Sequence, residues 1–336
     1  MRPGEGEAAE YHRGMNAKQD GPILRGTGTE GARPEAAPGG PAQLDLGLEQ
    51  LDGGAAPRKT GVKYGPTGRP LREFPEPAPL RQHGPARIIA LCNQKGGVGK
   101  TTTTINLGAS FAADGRRVLA VDFDPQGALT AGLAIPAHDG PTVYDLLVGN
   151  ERDIRKTIRH TSVQGLDVIP ANIDLSAAEV QLINEVGREQ TLARALRPLL
   201  HNYDYVLIDC QPSLGLLTVN ALACSDSVIM PLAAEFFSLR GVALLVDTVD
   251  KVQARINPDL AIGGVLVTMF DGRTVHAREV VAMLVERFGD QVFDTVISRT
   301  VKFPETTVAG EPITSYAPTS AAADAYRALA REVIAR

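Results

Sequence analysis

The sequence predicts an α/β fold: a doubly wound, mostly parallel sheet with helices on both faces, preceded by a disordered N-terminal extension. Three observations carry this. From residue 86 onward, continuous apolar runs of strand type alternate with segments of helical spacing, the pattern of βαβ units whose strands are buried on both faces. A glycine-rich loop joins the first run to the first helical segment. Residues 1–84 hold 16 glycines and 11 prolines among scattered apolar side chains, too little apolar surface to offset the entropy of ordering them.

Arg87–Asn93 (RIIALCN) is the first strand-type run. Thr101–Asp114 has helical spacing and stops at Gly115, a residue that suits a helix end. Arg117–Phe123 and Leu166–Pro170 are the next two runs, and Leu175–Glu185 and Thr191–Leu200 read as helices. Tyr205–Asp209 and Ser227–Pro231 are the fourth and fifth strands, followed by a long helix over Leu239–Ile256. Ala261–Met269, helix Val275–Phe288, a seventh strand Gln291–Ile297 and helix Ser320–Ala335 complete the order. No internal repeat is visible. Residues 86–336 therefore read as one domain and 1–85 as a Pro/Gly-rich extension. Within the extension, Ala42–Leu51 could form a short helix on contact with a partner. Val62–Arg87 is a basic extended arm carrying Lys63, Arg69, Arg72, Arg81 and Arg87. It reads either as a solvated linker or as a contact for DNA or a neighbouring subunit.

Composition narrows the class. The chain has 336 residues and a net charge of −5, with 43% apolar and 22% charged residues. That excludes a bulk-basic DNA binder but leaves room for a local basic patch, because distant charges are screened. The three cysteines, Cys92, Cys210 and Cys224, are odd in number and lack CxxC spacing, which argues against a disulfide framework or a zinc site and suits a reducing cytoplasm. No apolar run approaches the roughly 20 residues that span a bilayer, and the N-terminus lacks a signal-peptide core. A cytoplasmic protein is expected.

The chemistry is concentrated in three motifs. The first is Gln94-Lys95-Gly96-Gly97-Val98-Gly99-Lys100-Thr101-Thr102, directly after the first strand. Its glycines let backbone N–H groups converge on phosphate oxygens, and the following helix adds its positive end. Lys100 can reach β/γ-phosphates, and the Thr101 hydroxyl can ligate Mg²⁺. The second, Val121-Asp122-Phe123-Asp124-Pro125-Gln126-Gly127, puts two carboxylates at a strand's C-terminal end, where open α/β sheets bind ligands. Asp122 reads as structural or as directly catalytic. The third is Tyr205-Val206-Leu207-Ile208-Asp209, an apolar strand ending in an acid, with Asp209 placed to hold Mg²⁺ through water.

The loop departs from GxxxxGK[ST]: Gln94 stands where a glycine is required, and an extra lysine, Lys95, precedes Gly96. In this it resembles the deviant Walker A loop of the ParA/MinD family of P-loop ATPases. The second motif resembles that family's VDxDPQG. Cys210-Gln211-Pro212-Ser213-Leu214-Gly215 occupies the place of its DxPPSLG switch, with Gln211 for the first proline. Val267–Thr274 looks like the ParA/Soj segment VTMYDxRT with Phe270 for tyrosine, and Val296–Lys302 looks like the family's IPRNVR. The similarity runs from Arg87 to the C-terminus.

The resemblance implies an ATPase of ParA/Soj chromosome-partitioning type that uses ATP and Mg²⁺. It implies that Lys95 reaches across an ATP-dependent homodimer to the partner's nucleotide, and that Asp124 orients the attacking water. Ser298 and Thr300 inherit the adenine contact, although Pro and Asn are usual there. Arg273 and Lys302 fall where ParA proteins contact DNA phosphates, which implies binding to double-stranded DNA without sequence preference. A ParB-like protein is the implied stimulator of hydrolysis, and nucleoid association the implied location.

Three rivals are weighed. A MinD-like, membrane-positioned ATPase needs a C-terminal amphipathic helix with a lipid-facing apolar side, whereas Tyr326, Leu329, Val333 and Ile334 form a stripe suited to a core. An iron–sulfur reductase needs paired cluster cysteines, which the three present do not offer. A metabolic ligase or kinase could use the same loop, but no second substrate domain is visible.

Overall fold

A computed structural model describes residues 63–235 and 238–336. The expected extension up to residue 62, with the Ala42–Leu51 segment, lies outside the described residues. The compact unit begins with β1 (Arg87–Leu91), α1 (Lys100–Ala113), β2 (Val118–Phe123) and the short helices α2 (Ala128–Gly132) and α3 (Val143–Val148). β3 (Arg159–His160), β4 (Leu166–Ile169), α4 (Leu175–Gln181), α5 (Thr191–Leu196), β5 (Tyr205–Cys210) and α6 (Leu216–Cys224) follow. Then come β6 (Ser227–Ala233), α7 (Ser238–Arg255), β7 (Ala261–Thr268), α8 (Val275–Phe288), α9 (Lys302–Ala309), α10 (Ile313–Tyr316) and α11 (Ala321–Ala335). The strands form one seven-stranded sheet in the order β3-β4-β2-β5-β1-β6-β7. Every pairing is parallel except β3 with β4.

The continuous apolar runs have the expected cause: both faces of the sheet are covered. On one face Ile89, Leu91, Val118 and Leu207 pack with Leu107 and Phe111 of α1 and with Tyr326, Leu329 and Val333 of α11. On the other, Ile88, Leu119, Val206 and Val228 pack with Leu146, Leu217, Leu245 and Leu284 from α3, α6, α7 and α8. Parallel pairing then brings the C-terminal ends of β1, β2 and β5 side by side, which is where the first three motifs lie.

Three expectations change in detail. Gln291–Ile297 does not form a strand; it touches the sheet edge through isolated bridges, Val265 to Val292 and Phe270 to Ser298. There the Phe293 ring lies on Gly264, where a Cβ would fall 2.5 Å from a ring carbon, and the Phe293 and Ile297 N–H groups bond the Val265 and Val267 carbonyls. The helix expected over Thr191–Leu200 tightens to a 3₁₀ turn at Arg197–Leu199, which carries a proline at its start, a residue that removes a helical donor. The two-residue β3 was too short to announce itself.

Residues 63–85 have no helix or ladder strand, as a Pro-rich arm should, yet they are fastened along the domain. The Arg69 guanidinium donates to the carbonyls of Gly289 and Val292 and pairs with Asp294 at 2.6 Å. Arg72 pairs with Asp290 and Asp294 at 3.2 and 3.1 Å. Further on, Glu76 meets Arg331, the Ala78 carbonyl accepts from Arg116, and His83 and the Gly84 N–H both bond Asp204. The Asp294 side chain is only 10% exposed. Arg69→Ala is therefore expected to cost roughly 3 kcal/mol, since a nearly buried carboxylate loses its main partner. A denaturant melt checks this; an unchanged midpoint would show the arm to be loosely laid.

Candidate active site

The loop after β1 is held before anything binds. Asn93, almost fully buried, donates to the Pro231 carbonyl at 2.7 Å and accepts the Lys95 N–H at 2.9 Å. The Thr268 hydroxyl at the end of β7 donates to the Val98 carbonyl at 2.8 Å. Gly97 and Gly99 have φ of 71° and 86°, left-handed values that suit glycine and turn successive N–H groups toward one concavity. Lys100 is buried, and its ammonium reaches the Lys95 carbonyl at 3.3 Å. Thr102 lines a small cavity of about 140 Å³ with Thr101, Asn106, Thr306 and Thr307.

The acids converge on the same end of the sheet. Asp122 and Asp209 are register neighbours on β2 and β5. The Thr101 hydroxyl donates to Asp209 at 2.6 Å, and Thr104 adds a bond at 3.3 Å. Burial pushes the Asp209 carboxyl up to about 8, and the Asp122 charge beside it adds to this. Burial likewise pushes Asp122 up to about 6, against the hydrogen bonds it receives from Thr130. Those bonds, at 2.6 and 2.8 Å, tie Asp122 to α2, a positioning arrangement. Asp124 is half-buried, and its carboxylate accepts the Gln126 N–H at 3.0 Å, so it lies at the open side. Two adjacent buried carboxylates, a hydroxyl and a buried ammonium beside a nest of N–H groups fit a phosphate chain with a divalent cation.

Lys95 points away from Lys100 and pairs with Glu235 at 2.7 Å. Its ammonium holds the Glu235 carboxyl below the usual range. Gly96 lies close to Pro212 in the segment after β5: a Cβ at Gly96 would sit 4.0 Å from the proline's own Cβ. Ser298 and Thr300 line a cleft of about 610 Å³ with Phe270, Asp271, Arg273 and Arg299. The structure thus brings Arg273 into the same cleft as Ser298 and Thr300. The Arg273 guanidinium is gripped by Asp271 at 2.8 and 2.9 Å, which holds the Asp271 carboxyl down at about 2. Lys302 opens α9, its N–H bonded to the Thr300 hydroxyl, and its side chain does not line the cleft. Sequence reasoning gave no site role to Asn93, Glu235 or Thr268. Only Asn93 left a trace, as a polar residue ending an apolar strand.

Fold and loop together define a nucleotide-binding P-loop protein of the deviant Walker A class. A family model described as an AAA domain matches residues 86–262. The chromosome-partitioning ATPase Soj of Treponema pallidum is 49% identical over 250 residues, covering 74% of this chain and 98% of Soj. The chain belongs to the ParA/Soj family of partitioning ATPases. An uncharacterized protein of Mycobacterium tuberculosis is 66% identical over 278 residues, covering 82% of this chain and 87% of that one. That match reaches into the segment before residue 86, which the Soj match need not. Among solved structures, cobyrinic acid a,c-diamide synthase from Mycobacterium smegmatis, with bound ADP and magnesium, has a TM-score of 0.66 and 39% identity, covering 74% of this chain and 94% of that one.

Proposed function

We propose that this chain is an ATPase of chromosome or plasmid partitioning that cycles between a monomer and an ATP-dependent sandwich homodimer. The observation that carries the reading is the meeting of the Lys100 ammonium, the Thr101 hydroxyl and the Asp209 carboxylate around the left-handed Gly97 and Gly99, with Lys95 in the same loop. In this reading the segment Lys95, Gly96, Gly97, Val98, Gly99, Lys100, Thr101 and Thr102 holds the phosphates of ATP. Ser298 and Thr300 face the adenine. Thr101 and Asp209 hold Mg²⁺, whose charge offsets that of the phosphates. Asp124, at the open side, orients the attacking water. Lys100, and Lys95 from the second subunit, stabilise charge on the transferring phosphoryl, so catalysis is positioning plus electrostatics. Turnover is weak until a ParB-like protein stimulates it and the dimer leaves DNA. ATP turnover by the purified chain, alone and with duplex DNA plus a ParB-like protein, tests the scheme; absence of turnover in every mixture would sink it.

The DNA contact is assigned to Arg273, which lines the cleft, and to Lys302, which opens α9. With a net charge of −5, attraction must come from a localised patch that dimerisation doubles. A dimer neutralising about four phosphates should show log K falling against log salt with slope roughly −3.6. Replacing both residues by Glu is expected to abolish gel shifts on unrelated duplexes while ATP-dependent dimerisation persists. Wild-type affinity in the double variant would move the patch elsewhere. This scheme places the protein in the cytoplasm on the nucleoid. The MinD-like alternative gains no support from α11, whose Tyr326, Leu329 and Val333 are buried; binding to vesicles but not DNA would favour it. Among the described residues no helix is long and apolar enough to cross a membrane.

A further inference from the structure

Glu179 stands on α4, outside every motif that holds nucleotide, yet it grips both ends of the segment after β5. Its Oε1 accepts the Gln211 side-chain amide at 3.2 Å and the Leu217 N–H, in the first turn of α6, also at 3.2 Å. The Gly215 N-cap of α6 offers no side chain to cap the helix. Glu179 fills that role from another helix, placing an acceptor and a negative charge at the positive end. The approach depends on Gly215, where a Cβ would fall 2.5 Å from the same carboxylate oxygen. Between the two anchors, Ser213 bonds the Gly215 N–H, and its carbonyl accepts the Thr218 hydroxyl. The middle of the segment faces the phosphate loop, where a Cβ built on Gly96 would stand 4.0 Å from the Cβ of Pro212. The Gln211 amide is a donor that a proline at this position could not supply.

We infer that Glu179 is a positioning residue for ATP hydrolysis: it fixes the 211–215 segment against the phosphate loop and touches no nucleotide itself. The inference rests on the ATPase reading above. The phosphate loop has its own anchors in Asn93 and Thr268, so losing Glu179 should spare nucleotide binding and slow the chemical step. A displacement of about 1 Å at a reacting centre can cost far more than the contact that caused it.

The test uses the full chain with saturating ATP and Mg²⁺, at a temperature below the melting point of every variant. Glu179→Ala is expected to lower kcat about tenfold with KM for ATP changed less than about twofold. Glu179→Gln keeps the acceptor oxygen and should restore kcat to within about twofold of wild type. Gln211→Leu, which removes the side-chain tie and keeps the backbone N–H on the Phe123 carbonyl, should fall between. A wild-type kcat in Glu179→Ala overturns the inference. So does a loss in Glu179→Ala that Glu179→Gln does not rescue, or one that tracks the folded fraction, since each marks a purely structural role. Should Glu179→Ala fail to fold, Gln211→Ala decides: an unchanged kcat overturns, and a drop of about threefold supports. If the wild type turns over no ATP either alone or with duplex DNA and a ParB-like protein, the ATPase reading fails and this role falls with it.

Discussion

Lys95→Ala is expected to bind ATP within about tenfold of wild type and to lose both ATP-dependent dimerisation and hydrolysis. Binding should survive because Lys100, Thr101 and the Gly97–Gly99 turn are untouched by the change. Dimerisation should not, because the extra lysine is the group proposed to complete the partner's site, a positive charge supplied in trans. Within one chain Lys95 is turned aside to Glu235 at 2.7 Å, so pairing of two subunits must first draw it off that carboxylate. Light scattering with ATP reads the outcome. Normal dimerisation by Lys95→Ala would end the trans role. Glu235→Gln is the companion variant: with the competing charge gone, the dimer should form at a lower ATP concentration.

Asp124→Ala should have the complementary phenotype. ATP binding and dimerisation persist, while turnover falls by about 10²-fold or more, the usual loss when a water-orienting carboxylate is removed. The trapped dimer should then stay on DNA. Its neighbour Asp122 offers the contrast: it is fully buried and fastened to Thr130, so Asp122→Ala should act on stability and loop placement together. Retained turnover in Asp124→Ala with loss in Asp122→Ala would exchange the two roles.

Much of the site was legible because its parts are contiguous in sequence or sit at strand ends. Lys95 to Thr102 is one stretch, and Asp122 and Asp209 each lie near the C-terminal end of an apolar run, so parallel pairing alone brings them into register. Glu179 and Glu235 were not legible. Glu179 meets Gln211 across 32 residues and Lys95 meets Glu235 across 140, and nothing in a helical or loop pattern marks such pairs. The fold shows the same division. β1, β2, β5 and β6 are buried on both faces and read as unbroken apolar runs. The edge run Gln291–Ile297 has an apolar pattern too, but with Phe293 seated on Gly264 it makes isolated bridges and no strand. The basic arm misled in a different way: Arg69 and Arg72 look available for an external anion, and the acids that engage them, Asp290 and Asp294, lie more than 200 residues away in sequence.

The arm's fastenings also set how the protein carries mechanical load. They lie in series from residue 69 to residue 86: Arg69, Arg72, Glu76, Ala78, His83 with Gly84, and then the Ala86 N–H on the Leu200 carbonyl. A pull on residue 63 therefore meets them one at a time and peels them as a zipper opens, each at low force, before tension reaches β1 and the loop that follows it. The pull first opens the local pairing of Lys63 with Leu71 and Tyr64 with Pro70, and then reaches the contacts on residues 289–294, where Arg336 of the C-terminus also bonds the Gln291 and Val292 carbonyls. A pull on the N-terminal side is therefore expected to reach residues 290–294 and the Arg336 end of the last helix before it reaches β1 and the loop after it.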